Sequence, residues 1–225
     1  MAFSLCVALL LGSVAVLFTT TRKFSEPSTS MEPTLQPGDT VLVDRTTQVH
    51  RGDVIVEQQP SIGPGYYVRR VIGLPGDHVA CCDAHGQITV NGKPLNETYL
   101  YPGEPASRVR FHVTVPRGKL WLLGDNRSVA LDSQSYGPVE VRVVGRVFTI
   151  IRGGHSIYLQ TPQTFAADGL APAGTPVPPG LIAIVVGSVA LLLLVALSIF
   201  GTVRYVIRRH RRAPARQHEV PQESR

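Results

Sequence analysis

Two kinds of hydrophobic pattern alternate along the chain. Residues 2–20, AFSLCVALLLGSVAVLFTT, and residues 181–203, LIAIVVGSVALLLLVALSIFGTV, run without a single charge, each over about the 20 residues a helix needs to cross a bilayer. Such runs have no polar stripe to offer water and predict transmembrane helices. Between them the pattern shortens. DTVLVDR, GDVIVEQ, YYVRRVIGL, HVACC, QITVNG, RFHVTVP, LWLLGD and VEVRVVGRVFTII mix apolar and polar positions at short range and favour β-branched residues, as short strands do. Proline and glycine punctuate the junctions, at Gln36-Pro37-Gly38, Pro64-Gly65, Pro75-Gly76, Asn91-Gly92 and Pro116-Arg117-Gly118, where turns need a fixed or positive φ. The expected fold class is mainly β, a β-rich domain flanked by two transmembrane helices.

The first run lacks the basic flank and the A-x-A site of a cleaved leader, ending instead in Thr19-Thr20-Thr21-Arg22-Lys23, and is read as a membrane anchor over residues 1–20. Residues 21–160 then form the folded domain. Residues 161–180, TPQTFAADGLAPAGTPVPPG, have the Pro, Ala and Gly content of a spacer, followed by the second helix at 181–203 and a basic tail at 204–225. A chain of 225 residues with 44% apolar and 17% charged positions holds one ordinary domain with appendages, and its composition excludes a disordered protein.

Charge sets the expected topology. Seven arginines in the tail, from Arg204 to Arg225, against Glu219 and Glu223 give +5 of the chain's net +6, leaving +1 for everything else. A basic cluster directly after a transmembrane helix marks the cytoplasmic side. Both termini are therefore expected in the cytoplasm, with the middle of the chain on the outer face of the cell membrane. An anionic leaflet accounts for the arginines, so the lipid bilayer is the expected partner and nucleic acid is not. The three cysteines, Cys6 and the adjacent Cys81 and Cys82, form neither a disulfide framework nor a zinc pattern. The adjacent pair is compatible with a vicinal disulfide, a bond to another chain, or two free thiols.

The candidate chemistry begins just past the first helix, at Pro27-Ser28-Thr29-Ser30-Met31-Glu32-Pro33-Thr34-Leu35. Further boxes follow in order: Gln36-Pro37-Gly38-Asp39 with Arg51-Gly52-Asp53-Val54, Arg70-Val71-Ile72-Gly73-Leu74-Pro75-Gly76-Asp77, Val90-Asn91-Gly92-Lys93-Pro94-Leu95 and Gly124-Asp125-Asn126-Arg127. Over about residues 1–152 these resemble the type I signal peptidase (leader peptidase) family, whose S-x-S-M-x-P-T-L box carries a nucleophilic serine after the membrane anchor. The resemblance implies a signal-peptidase-like β-rich catalytic fold, Ser30 as nucleophile and a lysine as general base. It implies cleavage of exported precursor proteins after a small-x-small motif, with their signal peptides as substrate, and no metal or cofactor. Ser28 corresponds to the second oxyanion donor beside the Ser30 N–H. Arg70 and Asp125 correspond to an ion pair that braces the site, and Asp132 to a structural acid.

The resemblance breaks at the chemistry. The family's Y-[IV]-K-R-V-[IV]-G-L-P-G-D reads Tyr67-Val68-Arg69-Arg70-Val71-Ile72-Gly73-Leu74-Pro75-Gly76-Asp77 here, with Arg69 at the lysine. A lysine serves as base when apolar surroundings keep it neutral; a guanidinium keeps its proton throughout the range in which proteins work. In the last box, Ala130 stands for the serine that orients that lysine, and Gln134 for the arginine that pairs with the acid at Asp132. Lys23, Lys93 and Lys119 lie in unsuitable segments, and His50, His78, His85, His112 and His155 are scattered. Two function classes follow: a membrane-bound serine endopeptidase removing signal peptides, and a catalytically impaired homologue that binds exported proteins or assists their assembly.

Overall fold

The structure is a computed structural model and describes residues 2–60, 63–170, 177 and 179–211. Both charge-free runs are helical. Helix α1 covers Ala2–Thr20 and the last helix, α4, covers Pro179–Arg211, extending past the apolar run into the basic segment. Both are long and apolar enough to cross a membrane. The remainder of the tail, from residue 212, lies outside the described residues.

The chain divides into two units, one spanning Met1–Ala15 and Ala183–Arg225 and the other Val16–Ile182. In the helical unit the α4 backbone comes close to α1 at Gly187, where an added Cβ would lie 2.5 Å from the Ser13 hydroxyl. Small residues permit this approach, and the Ser13 hydroxyl is satisfied by donating to the Leu10 carbonyl at 2.8 Å. Leu11, Leu192 and Phe200 point outward, exposed.

Among its described residues the second unit holds eleven strands in chain order: β1 (Thr21–Ser25), β2 (Thr40–Asp44), β3 (Val54–Gln58), β4 (Tyr67–Gly73), β5 (His78–Cys81), β6 (Ile88–Val90), β7 (Lys93–Pro94), β8 (Phe111–Thr114), β9 (Trp121–Leu123), β10 (Arg142–Arg152) and β11 (His155–Tyr158). One antiparallel sheet runs β1-β2-β10-β3-β4-β9, with β11 paired to β10, and a smaller one runs β7-β6-β5-β8. Asn91 and Gly92, both at positive φ, close the β6–β7 hairpin as the Asn-Gly pair predicts. Cys81 and Cys82 are joined as a vicinal disulfide.

Strands β3 and β4 are buried on both faces, which explains why they read as nearly continuous apolar runs. Val54, Val56 and Val68 face a cluster with Met31, Leu35, Val41 and Val43. Ile55 and Val71 face another with Leu122 and Val139. A third cluster lies between the smaller sheet and Trp121 and Leu123.

The expected spacer does not begin at residue 161. Helix α3, Gln163–Ala167, follows directly, and Phe165 and Leu170 are buried in the cluster of the smaller sheet. The Pro, Ala and Gly content masked two large apolar side chains that have a core to enter. A short helix, α2 (Ser133–Tyr136), completes the unit, with Asp132 as its N-cap.

Candidate active site

The loop between β1 and β2 carries Ser28 and Ser30. It is anchored by Met31 and Leu35, both fully buried, and tightened by the Leu35 N–H donating to the Met31 carbonyl at 2.9 Å. Its other side lies on Gly124, where a Cβ would come within 2.6 Å of the Ser30 carbonyl oxygen and 2.3 Å of Ala130 Cβ. Only glycine allows this approach, and the neighbouring Asn126 N–H uses it to donate to the Ser30 carbonyl at 3.1 Å. Ser28 Oγ lies 3.0 Å from Ser30 Oγ. Glu26, only 3% exposed, accepts on one carboxylate oxygen from the Ser28 N–H at 2.9 Å and from the Ser28 hydroxyl at 2.8 Å.

Consecutive residues on a strand point to opposite faces, and β4 uses this to deliver two arginines to two places. Arg69 donates from Nη1 to Ser30 Oγ at 2.9 Å and to the Val68 carbonyl at 2.6 Å, and from Nη2 to the Leu131 carbonyl at 3.0 Å. Arg70 makes a two-pronged pair with Asp125, Nε to Oδ1 at 2.8 Å and Nη2 to Oδ2 at 2.6 Å, both side chains almost wholly buried. Thr34 donates to Asp125 at 2.5 Å, Arg70 Nη1 donates to the Gly52 carbonyl at 2.8 Å, and the guanidinium stacks on Tyr99 with its carbon 4.0 Å from the ring centre. The pair ties β4 to the serine loop and to the Gly124 turn, which gives the site a rigid floor.

Asp132 accepts from the Gly124 N–H at 2.9 Å and the Gln134 N–H at 2.9 Å. Burial pushes its carboxyl up, against these two hydrogen bonds. Gln134, where an arginine was expected, reaches the same carboxylate at 3.4 Å through Nε2. A second buried carboxyl, Glu57, shares its face of β3 with Ile55, the register partner of Arg69. Among the described residues, both Glu57 oxygens lack a hydrogen-bond partner. Burial raises this group to about 7, opposed by the Arg69 charge.

A family model described as "Signal peptidase, peptidase S26" matches residues 1–151. The chain belongs to this family. It is 38% identical over 136 residues to signal peptidase I U of Bacillus subtilis, covering 54% of this chain and 71% of that one. Probable signal peptidase I-2 of Synechocystis is 35% identical over 132 residues, covering 54% and 59%. Mitochondrial inner membrane protease subunit 1 of Xenopus tropicalis is 33% identical over 123 residues, covering 52% and 61%.

Against that family pattern, the structure brings Ser28, Ser30 and Arg69 together and seats Arg70, Asp125 and Asp132 around them. Three of the other candidate bases have partners away from Ser30: His78 pairs with Thr114, His50 lies 3.6 Å from Asp53, and Lys93 donates to the Asp168 carbonyl. Among the described residues, the hydrogen-bond partners of Ser30 Oγ are Ser28 and Arg69. The sequence reading passed over Glu26 and Glu57. Glu26 sits two residues before Ser28 and signals itself only by proximity. Glu57 interrupts an apolar strand, a signal visible in Val54-Ile55-Val56-Glu57.

Proposed function

We propose that this chain acts on the signal peptides of exported precursor proteins as a membrane-anchored serine endopeptidase of the signal peptidase I type. The observation that carries this reading is the buried Ser30 hydroxyl, held between Ser28 at 3.0 Å and Arg69 at 2.9 Å, in the loop that follows the apolar helix α1 and the short strand β1. In this reading Ser30 Oγ attacks the carbonyl that follows a small-x-small motif. The Ser30 N–H and the Ser28 hydroxyl receive the developing oxyanion, each donor contributing about 3–4 kcal/mol to the transition state. The precursor lies as an added extended strand, fixed by main-chain hydrogen bonds. Arg70, Asp125 and Asp132 hold the floor. Both termini are cytoplasmic and residues 21–160 face outward, a reading supported by the arginine-rich tail.

Arg69 favours a second reading. A guanidinium donates hydrogen bonds and accepts none, so the proton of Ser30 cannot leave by the route a lysine provides. A chain of this design can instead hold exported proteins in the same groove, or assist their assembly, without cutting them. The deciding experiment incubates the purified full chain in detergent with a precursor protein, beside a Ser30→Ala variant. Cleavage by the first and not the second supports the peptidase. Stable crosslinking of uncut precursor to both supports the second reading.

A further inference from the structure

The site holds an unbroken run of hydrogen bonds that leads away from Ser30 and ends on a carboxylate. Arg69 Nη1 donates to Ser30 Oγ at 2.9 Å, Ser30 Oγ and Ser28 Oγ are 3.0 Å apart, and the Ser28 hydroxyl donates to Glu26 Oε1 at 2.8 Å. The two ends fix the direction. Arg69 can only donate to Ser30, and the Ser28 proton is committed to Glu26, so the Ser30 proton points at Ser28 Oγ. The same Glu26 oxygen accepts the Ser28 N–H at 2.9 Å, which locks the carboxylate onto this hydroxyl.

We propose that Glu26 takes the Ser30 proton through the Ser28 hydroxyl, standing in for the base that Arg69 cannot be. As Ser30 Oγ forms its bond to the substrate carbonyl, its O–H bond breaks and the proton passes to Ser28 Oγ. Ser28 releases its own proton to Glu26 Oε1 in the same movement. Ser28 is left with a hydroxyl proton no longer bound toward Glu26 and free to donate to the oxyanion. When the tetrahedral intermediate collapses and its C–N bond breaks, Glu26 returns its proton to Ser28 Oγ while Ser28 passes its own proton directly to the leaving amine, Ser30 Oγ remaining bonded to the acyl group, and Glu26 is a carboxylate again. Arg69 contributes a fixed positive charge 2.9 Å from the oxygen that loses its proton, which lowers the cost of that loss. Glu26 acts through Ser28 and does not touch substrate.

The proposal rests on Ser30 being the nucleophile, so its test uses a substrate simpler than a precursor: a short peptide p-nitrophenyl ester with a small acyl residue, added to the full chain in detergent. Glutamine at position 26 still accepts both Ser28 hydrogen bonds but takes no proton. Glu26→Gln is expected to lower kcat about a hundredfold or more with KM unchanged, Glu26→Asp to recover part of the loss, and the rate in mixed H2O and D2O to register two moving protons in the unaltered chain. Glu26→Gln hydrolysing the ester as fast as the unaltered chain overturns the relay and leaves the peptidase reading standing. An unaltered chain no faster than Ser30→Ala also overturns it. Ester hydrolysis that depends on Glu26, without cleavage of any precursor, supports the relay and sinks the precursor reading.

Discussion

Arg69 Nη1 sits 2.9 Å from Ser30 Oγ, donating to the oxygen whose proton the family's lysine removes. In the proposed reading Ser30 is the nucleophile, and its neighbour then has the wrong chemistry for a base, because a guanidinium supplies a hydrogen bond and takes none.

Restoring the family's residues tests this mismatch. Arg69→Lys returns an amine to the site, and Ala130→Ser returns the hydroxyl that orients it. The double variant is expected to cleave precursor faster than either single variant, by up to the 10²–10⁴ that general base catalysis supplies, about 3–5 kcal/mol of barrier. An unaltered chain that matches the double variant in a timed cleavage assay contradicts the expectation.

Gly124 is the point where the serine loop and the Ala130 turn meet. Gly124→Ala sets a methyl group 2.6 Å from the Ser30 carbonyl and 2.3 Å from Ala130 Cβ, so the loop must move. Overpacking of this kind costs about 1–3 kcal/mol. Denaturant melting is expected to register that loss, together with slowed ester hydrolysis, since small displacements of a nucleophile cost rate heavily.

Glu57 makes stability depend on pH in a fixed direction. Burial raises its carboxyl from the ordinary 4.5 to about 7, so the native protein holds a proton that the unfolded chain releases across that interval. Stability therefore falls as pH rises from about 4.5 to 7 and levels off above, by about 3 kcal/mol at most. Glu57→Gln has no proton to lose, and its melting temperature is expected to change less than that of the unaltered chain between pH 5 and pH 8. Parallel profiles for the two proteins contradict this.

Phe165 decides whether residues 161–170 are part of the folded domain. Its ring fills the space above Gly52, where an added Cβ would meet Phe165 Cδ2 at 2.6 Å. Phe165→Ala is expected to destabilise by about 3–5 kcal/mol, and truncation after residue 160 to do at least as much, both read by urea unfolding. A spacer would tolerate either change.

Topology has its own check. Protease added to intact cells is expected to digest residues 21–160 and spare the arginine-rich tail. Loss of an epitope placed at the C-terminus under those conditions reverses the orientation.

The sequence alone determined what depends on local pattern. Two uncharged runs read as helices long and apolar enough to cross a membrane, and short apolar runs closed by Pro-Gly and Asn-Gly turns read as strands. The ordered boxes around Ser30, Arg70 and Asp125 named the family and its departure at Arg69. Tertiary structure decided what depends on segments meeting in space. Composition made 161–170 look like linker, because two buried side chains among ten residues leave no period to detect. Nothing local distinguishes Glu26 from a surface acid until Ser28 Oγ is found 2.8 Å away, nor tells that Glu57 shares a sheet face with Arg69 until β3 and β4 are set in register. Helix and strand follow from forces between near neighbours in the chain. A proton's path follows from distances within about 3 Å between atoms the fold brings together, and those distances exist only once the chain has closed on itself.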